Sequence, residues 1–216
     1  MGIVIVSATT TTARDIRVLV MQDHPALRTG LRRLLDNEPG FRCVGALAGA
    51  DDLLAAMGAS RPDAVVLDYA LGADDGLTTC FRVKQQPDPP AVVLYTAHDD
   101  DVFAVPAAIA QADAVVAKTA PVDELLSAIH QAAAGTLERP RLDAELVQAA
   151  SARLLAEDLP IATMLIGGAR VHDIAMTLGL PRDDVRRRAL RIIGRLQARN
   201  GGAGTGSATV GSAFRT

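Results

Sequence analysis

The chain is poor in several residue types and patterns. Among 216 residues there are only two cysteines, Cys43 and Cys80, which build no disulfide framework and show no metal-ligand spacing. No apolar run approaches the roughly 18–20 residues of a membrane span, so no membrane partner is expected. The apolar opening Gly2–Val6 is too short for a secretory core and lacks a basic flank. No internal repeat of about 20–50 residues occurs, which excludes solenoids and propellers. Only two lysines, Lys84 and Lys118, stand against twenty arginines. The expected compartment is cytoplasmic.

What the chain has is a core. Hydrophobic residues make up 49% and charged residues 22%, too apolar for a disordered chain. The net charge of −3 conceals a division of charge along the sequence. Residues 1–150 hold 12 basic and 20 acidic groups, whereas residues 151–199 hold 9 basic and 5 acidic ones. An acidic body with a basic C-terminal piece implies two modules, the second suited to a polyanion.

Short β-branched runs alternate with amphipathic stretches. Arg17–Met21, Arg42–Leu47, Ala64–Leu67, Ala91–Tyr95 and Ala114–Ala117 read as strands. Between and after them, helices are predicted at 25–35, 51–58, 76–85, 102–110 and 122–134. Continuous apolar strands alternating with helices call for an α/β fold, a (βα)5 doubly wound parallel sheet. Residues 135–142, with Gly135 and Pro140, read as a linker. A small all-α region of 143–199 follows, with helices at 143–156, 161–166, 171–178 and 181–196. The expected domains are therefore an extension at 1–15, an α/β domain at 16–134, and a helical domain at 143–199. A glycine-rich tail at 200–216 is expected to be disordered.

Parallel sheets place working residues at the carboxyl ends of their strands. There stand Gln22 and Asp23, then Asp68, then Thr96, then Lys118. Two nearby carboxylates call for a cation, and hard oxygen donors suit Mg²⁺. A carboxylate beside Mg²⁺ and an ammonium can act as a nucleophile toward a phosphoryl group. The competing reading makes Asp23 and Asp68 helix N-caps and Lys118 an ordinary solvated lysine. That reading requires several coincidences at one sheet edge. His24, His98, His130 and His172 show no metal spacing and read as surface or loop side chains, while Asp74-Asp75 reads as a turn and helix start.

The strings VLVMQDHPALRTGLRRLL, PDAVVLDYALGADDGL, VVLYTAHDDD and ADAVVAKTAPVDELLSAI resemble the successive motifs of NarL/FixJ-type receiver domains. The resemblance spans roughly residues 16–134. It implies Asp68 as phospho-acceptor, and Asp23, Asp68 and the Ala70 carbonyl as Mg²⁺ ligands. It also implies Thr96 and Lys118 as partners of the phosphoryl group, with Gln22 behind them. Gln22 replaces a usual acid, Gly72 a usual proline, Gln111 a usual glycine, and Val115 a frequent switch aromatic. Weaker Mg²⁺ binding, slower phosphorylation and a different output coupling are the expected consequences.

Further on, Ala175, Gly179 and Pro181 are spaced for a helix-turn-helix at 170–197. Val185, Ala189, Ile192 and Leu196 form the expected buried stripe of its second helix, and Arg187 and Arg191 lie opposite. The segment resembles a LuxR-type helix-turn-helix, which implies DNA as partner, with Arg187, Arg188, Arg191 and Arg195 as DNA-binding residues. The competing reading is a solvated basic helix whose Asp183–Arg187 and Asp184–Arg188 pairs absorb the charge.

The expected function is that of a bacterial two-component response regulator. A sensor histidine kinase phosphorylates Asp68, which controls DNA binding, and the protein acts as a homodimer paired through Ala-rich surfaces within 102–134. The alternative is an orphan regulator whose receiver acts as a dimerisation or ligand-sensing platform. A phosphatase is disfavoured because Ala70 stands where such enzymes carry a second acid. No catalytic residue is assigned.

Overall fold

The computed structural model describes residues 14–71, 74–97, 103–137 and 142–198. Most of the expected N-terminal extension lies outside these residues. So do Gly72, His98 and Asp99–Asp101, linker residues 138–141, and the tail from Arg199.

Strands β1 (Ile16–Met21), β2 (Phe41–Leu47), β3 (Ala64–Asp68), β6 (Ala91–Thr96) and β7 (Ala114–Ala117) form one sheet. Its order is β2-β1-β3-β6-β7 and every pairing is parallel. Strands β4 (Ala70–Leu71) and β5 (Asp74–Asp75) make a small antiparallel ladder after β3. Helices α1 (Pro25–Asn37), α2 (Leu53–Ser60), α3 (Gly76–Lys84), α4 (Ala104–Ile109) and α5 (Val122–Ala134) connect the strands.

Strand periodicity divides the core in two. Val18, Val20, Val66, Val93 and Val116 pack with Leu31 and Leu35 of α1 and Leu125 and Ile129 of α5. Leu19, Met21, Val65, Leu67, Val92 and Leu94 face the opposite way, toward α2, α3 and α4. Because both faces are covered, the strands read as unbroken apolar runs.

The C-terminal helices are α6 (Ala144–Ser151), α7 (Leu159–Ile166), α8 (Val171–Leu178) and α9 (Arg182–Gln197). A 3-10 turn, Ala156–Asp158, precedes α7. The helix expected over 143–156 ends early, at Ser151, whose hydroxyl donates to the Val147 carbonyl. Such a bond back along the helix competes with regular continuation. Ile161, Leu165, Ile174, Val185, Ala189, Ile192 and Leu196 are buried together, and this interior runs without a break into the α2–α4 side of the sheet. No helix among the described residues is long and apolar enough to cross a membrane.

Candidate functional site

The sheet brings the expected strand-end residues to one edge. Asp68, the last residue of β3, is 1% exposed, and its Oδ2 accepts from Lys118 Nζ at 2.6 Å. Its Oδ1 accepts from the Ala70 N–H at 3.3 Å. Lys118 is fixed by its backbone as well, since its N–H donates to the Thr96 carbonyl at 2.7 Å. Thr96 ends β6 and is fully buried.

A close backbone approach shapes the loop after Asp68. Gly76 begins α3, and a Cβ there would stand 2.4 Å from the Asp68 carbonyl oxygen and 2.6 Å from Tyr69 Cα. Only glycine lets α3 start so near the acceptor residue. Asp75, the N-cap of α3, accepts from the N–H groups of Leu77 and Thr78, which is the helix-start role expected of it.

Gln22 and Asp23 follow β1. Gln22 is 1% exposed, and its Oε1 accepts from the His24 N–H at 3.1 Å, while its Nε2 has no partner among the described residues. His24 is an exposed side chain, as its sequence context suggested, but it has a partner. Its Nδ1 lies 2.6 Å from Asp23 Oδ1. One ligand atom each of Asp23, His24 and Asp68 lies within 4.8 Å of the other two. Spacing alone hid this group, because two of its members are adjacent in sequence and the third comes from another strand.

In the C-terminal region, α8 ends at Gly179 with φ of +65°, and Pro181 caps α9. The turn is left-handed, a conformation glycine adopts without a Cβ penalty. The arginines of α9 have different surroundings. Arg187, with its side chain 73% exposed, pairs with Asp184 at 2.8 Å, not with the Asp183 that helical spacing suggested. Arg188 pairs with the same Asp184 at 3.1 Å. Arg191 binds Asp158 through Nε at 3.2 Å and Nη2 at 2.6 Å, and it reaches Glu157 at 3.2 Å. Asp158 has no exposed surface. Hydrogen bonding to Asp158 raises the guanidinium pKa further. Arg191 does lie opposite the buried stripe, beside Arg187, but a buried carboxylate holds it. Arg195 is partly exposed, and the backbone carbonyls of Arg195 and Leu196 accept from Arg153.

The two regions touch. Gln197 donates to the Asp75 carboxylate and lies 3.5 Å from the Tyr69 hydroxyl. The Tyr69 ring stands edge-on to Phe103, with centroids 5.0 Å apart. Gln111 Nε2 donates to the Ala169 carbonyl at 2.8 Å. Gln111 has φ of +64°, so the residue found where a glycine is usual does adopt a left-handed backbone. Helix α4, part of the expected dimer surface, is buried instead.

This arrangement of sheet and strand-end residues has known counterparts. A family described as the response regulator receiver domain matches residues 18–130. The chain belongs to this family, as a response regulator of the NarL/FixJ type. The nitrate/nitrite response regulator protein NarL of Escherichia coli is 30% identical over 122 residues, which cover 56% of this chain and 56% of NarL. The match therefore spans just over half the length of that relative. A LuxR-family two-component response regulator from Aurantimonas sp. SI85-9A1 superposes with a TM-score of 0.54 at 28% identity, covering 62% of this chain and 94% of its own. RcsB from Salmonella enterica serovar Typhimurium, solved bound to a promoter, shares the fold over 85% of this chain and 92% of its own. Its TM-score is 0.54 at 18% identity.

Proposed function

We propose that the chain is a phosphorylation-controlled DNA-binding regulator. Asp68 accepts a phosphoryl group from a sensor histidine kinase, and the α8–α9 unit binds specific DNA as part of a homodimer. The observation that carries this reading is the 2.6 Å pair between buried Asp68 and Lys118, set beside Asp23. Asp23, Asp68 and the Ala70 carbonyl offer hard oxygen donors that fit Mg²⁺, and the unpartnered Nε2 of Gln22 suits an oxygen bound there. When bound, Mg²⁺ offsets charge on the transferring phosphoryl oxygens.

The chain's own residues supply the rest. A carboxylate oxygen of Asp68 forms the new bond to phosphorus as the bond to the donor breaks. Lys118 neutralises charge on the oxygens that move, and Thr96 offers its hydroxyl at the same edge. Ala70, two positions after Asp68, can supply no general acid, which fits a protein that holds its phosphoryl group instead of hydrolysing a substrate. Output passes from Tyr69, next to the acceptor, to Phe103 and to Gln197 of α9, in place of the aromatic that Val115 replaces.

One observation favours the orphan reading. Gln22 is neutral where receivers usually have an acid, and this weakens the hold on a divalent cation. Genomic footprinting of wild type beside Asp68→Ala tests both. Discrete wild-type sites that are lost or weakened in the variant support phospho-control. Identical footprints favour the orphan regulator, and no footprint at all contradicts DNA binding.

A further inference from the structure

We infer that a cavity between the receiver and the C-terminal helices binds a small zwitterion with an apolar body, the chemistry of an aliphatic α-amino acid. The cavity has a volume of about 300 Å³, and its wall includes Lys84, Ala108, Ala112, Asp113, Ile166 and Arg170. Asp113 immediately precedes β7, so the cavity lies at the amino edge of the parallel sheet. Asp68 stands at the opposite, carboxyl edge, and the two sites share no residue.

Three observations define the occupant. The first is size and lining. A volume of this order suits a small molecule, and such pockets favour the places where domains meet. Ala108 and Ala112, at the end of α4, offer only methyl groups, and Ile166 adds a branched aliphatic wall. The second is an unanswered positive charge. Lys84 Nζ is engaged by Asp113 Oδ2 at 2.8 Å and by the Pro90 carbonyl at 3.4 Å. Arg170 is exposed at the N-cap of α8, and its guanidinium has no ion pair among the described residues. A guanidinium beside an apolar wall suits a carboxylate, which it can grip through two parallel hydrogen bonds.

The third is helix polarity. Helices α5 and α7 both end beside the cavity, with Gly135 and Gly168 in its wall. The last carbonyls of a helix have no intrahelical partner, and its C-terminus carries partial negative charge. An ammonium group is favoured there. A plain anion would meet those carbonyls, and a plain cation would meet Arg170. A zwitterion satisfies both.

The wall is also held in place. Gln111 lines the cavity with a left-handed backbone, φ +64°, and its side chain accepts from Gln85 at 3.2 Å while donating to the Ala169 carbonyl at 2.8 Å. Strained residues of this kind cluster at ligand sites. Because α4, α5, α7 and the start of α8 all contribute, an occupant bridges the receiver and the helical region.

The test is isothermal titration calorimetry of the full chain with L-leucine, with isocaproate, which lacks the ammonium, and with isoamylamine, which lacks the carboxylate. Wild type is expected to bind L-leucine saturably and each analogue about tenfold or more weakly, the size of a lost charge-assisted hydrogen bond. Arg170→Gln should lose about tenfold in leucine affinity and leave isoamylamine no weaker. Ala108→Leu, which fills the cavity, should abolish leucine binding. Absence of saturable heat with leucine on wild type overturns the inference, as does unchanged leucine affinity in Ala108→Leu. Isocaproate or isoamylamine binding as tightly as leucine overturns the assignment of a zwitterion. Ala112→Leu fills the same cavity from the next turn and repeats the measurement should Ala108→Leu fold poorly.

Discussion

Arg191 in α9 is bound through two nitrogens to Asp158, a carboxylate with no exposed surface in the turn before α7. The pair ties the helix that carries most of the positive charge to the rest of its domain. A buried carboxylate that loses its cation is strongly destabilising. Arg191→Ala is therefore expected to lower Tm clearly, and Asp158→Asn should lower it less, because the amide keeps the shape. Arg187→Ala removes an exposed side chain and should stay within ~0.5 kcal/mol of wild type. Differential scanning calorimetry of the three variants decides the matter. An unchanged Tm in Arg191→Ala, with loss confined to operator binding, would return Arg191 to the role of base reader.

Under the proposed function, Arg187 is the residue expected to read bases. It projects from the exposed side of α9, one turn from the held Arg191. A bidentate arginine–guanine contact is worth about 1–3 kcal/mol of base discrimination. Arg187→Ala should lose that discrimination between operator and scrambled DNA, with little change on scrambled DNA. Arg195→Ala should weaken both and reduce the salt slope by roughly one, as expected for a phosphate contact. Fluorescence anisotropy across a salt series measures both effects. Identical behaviour of the two variants would remove α9 as a reading helix.

Gln111 links the two regions through a backbone conformation that glycine would adopt more easily. A left-handed non-glycine residue costs roughly 1–2 kcal/mol, yet here the side chain reaches the Ala169 carbonyl. Gln111→Gly should relieve the backbone but loosen the docking of α7–α9 on the sheet. Gln111→Asn tolerates the same backbone and is shorter by one methylene, so it should loosen docking as well. Small-angle scattering is expected to show a larger radius of gyration for both variants. Unchanged scattering profiles would mean that the apolar contacts alone hold the two regions.

Much of the fold was legible because the central strands β1, β3 and β6 are buried on both faces and helices such as α1 and α5 carry an apolar stripe. Local pattern therefore agreed with tertiary role, and a parallel sheet gathers Asp23, Asp68, Thr96 and Lys118 without any side-chain detail. Other features depend on distant partners that no periodicity encodes. The hold on Arg191 comes from a residue 33 positions earlier, in a 3-10 turn that falls between two of the predicted helices. The short β4–β5 ladder has too few residues to show alternation. The burial of α4 followed from docking of the C-terminal helices, where alanine-rich sequence had suggested an open surface. The His24–Asp23 contact joins neighbours in sequence, and spacing rules for metal ligands do not anticipate it.

The central claim is that Asp68, paired with Lys118 in a buried pocket, accepts a phosphoryl group. Intact-mass spectrometry tests it most directly, with the full chain incubated with Mg²⁺ and acetyl phosphate beside Asp68→Asn and Lys118→Ala. Wild type should gain the mass of one phosphoryl group, Asp68→Asn none, and Lys118→Ala little. Absence of added mass on wild type, under conditions that label an ordinary receiver, would contradict the account, as would equal labelling of Asp68→Asn.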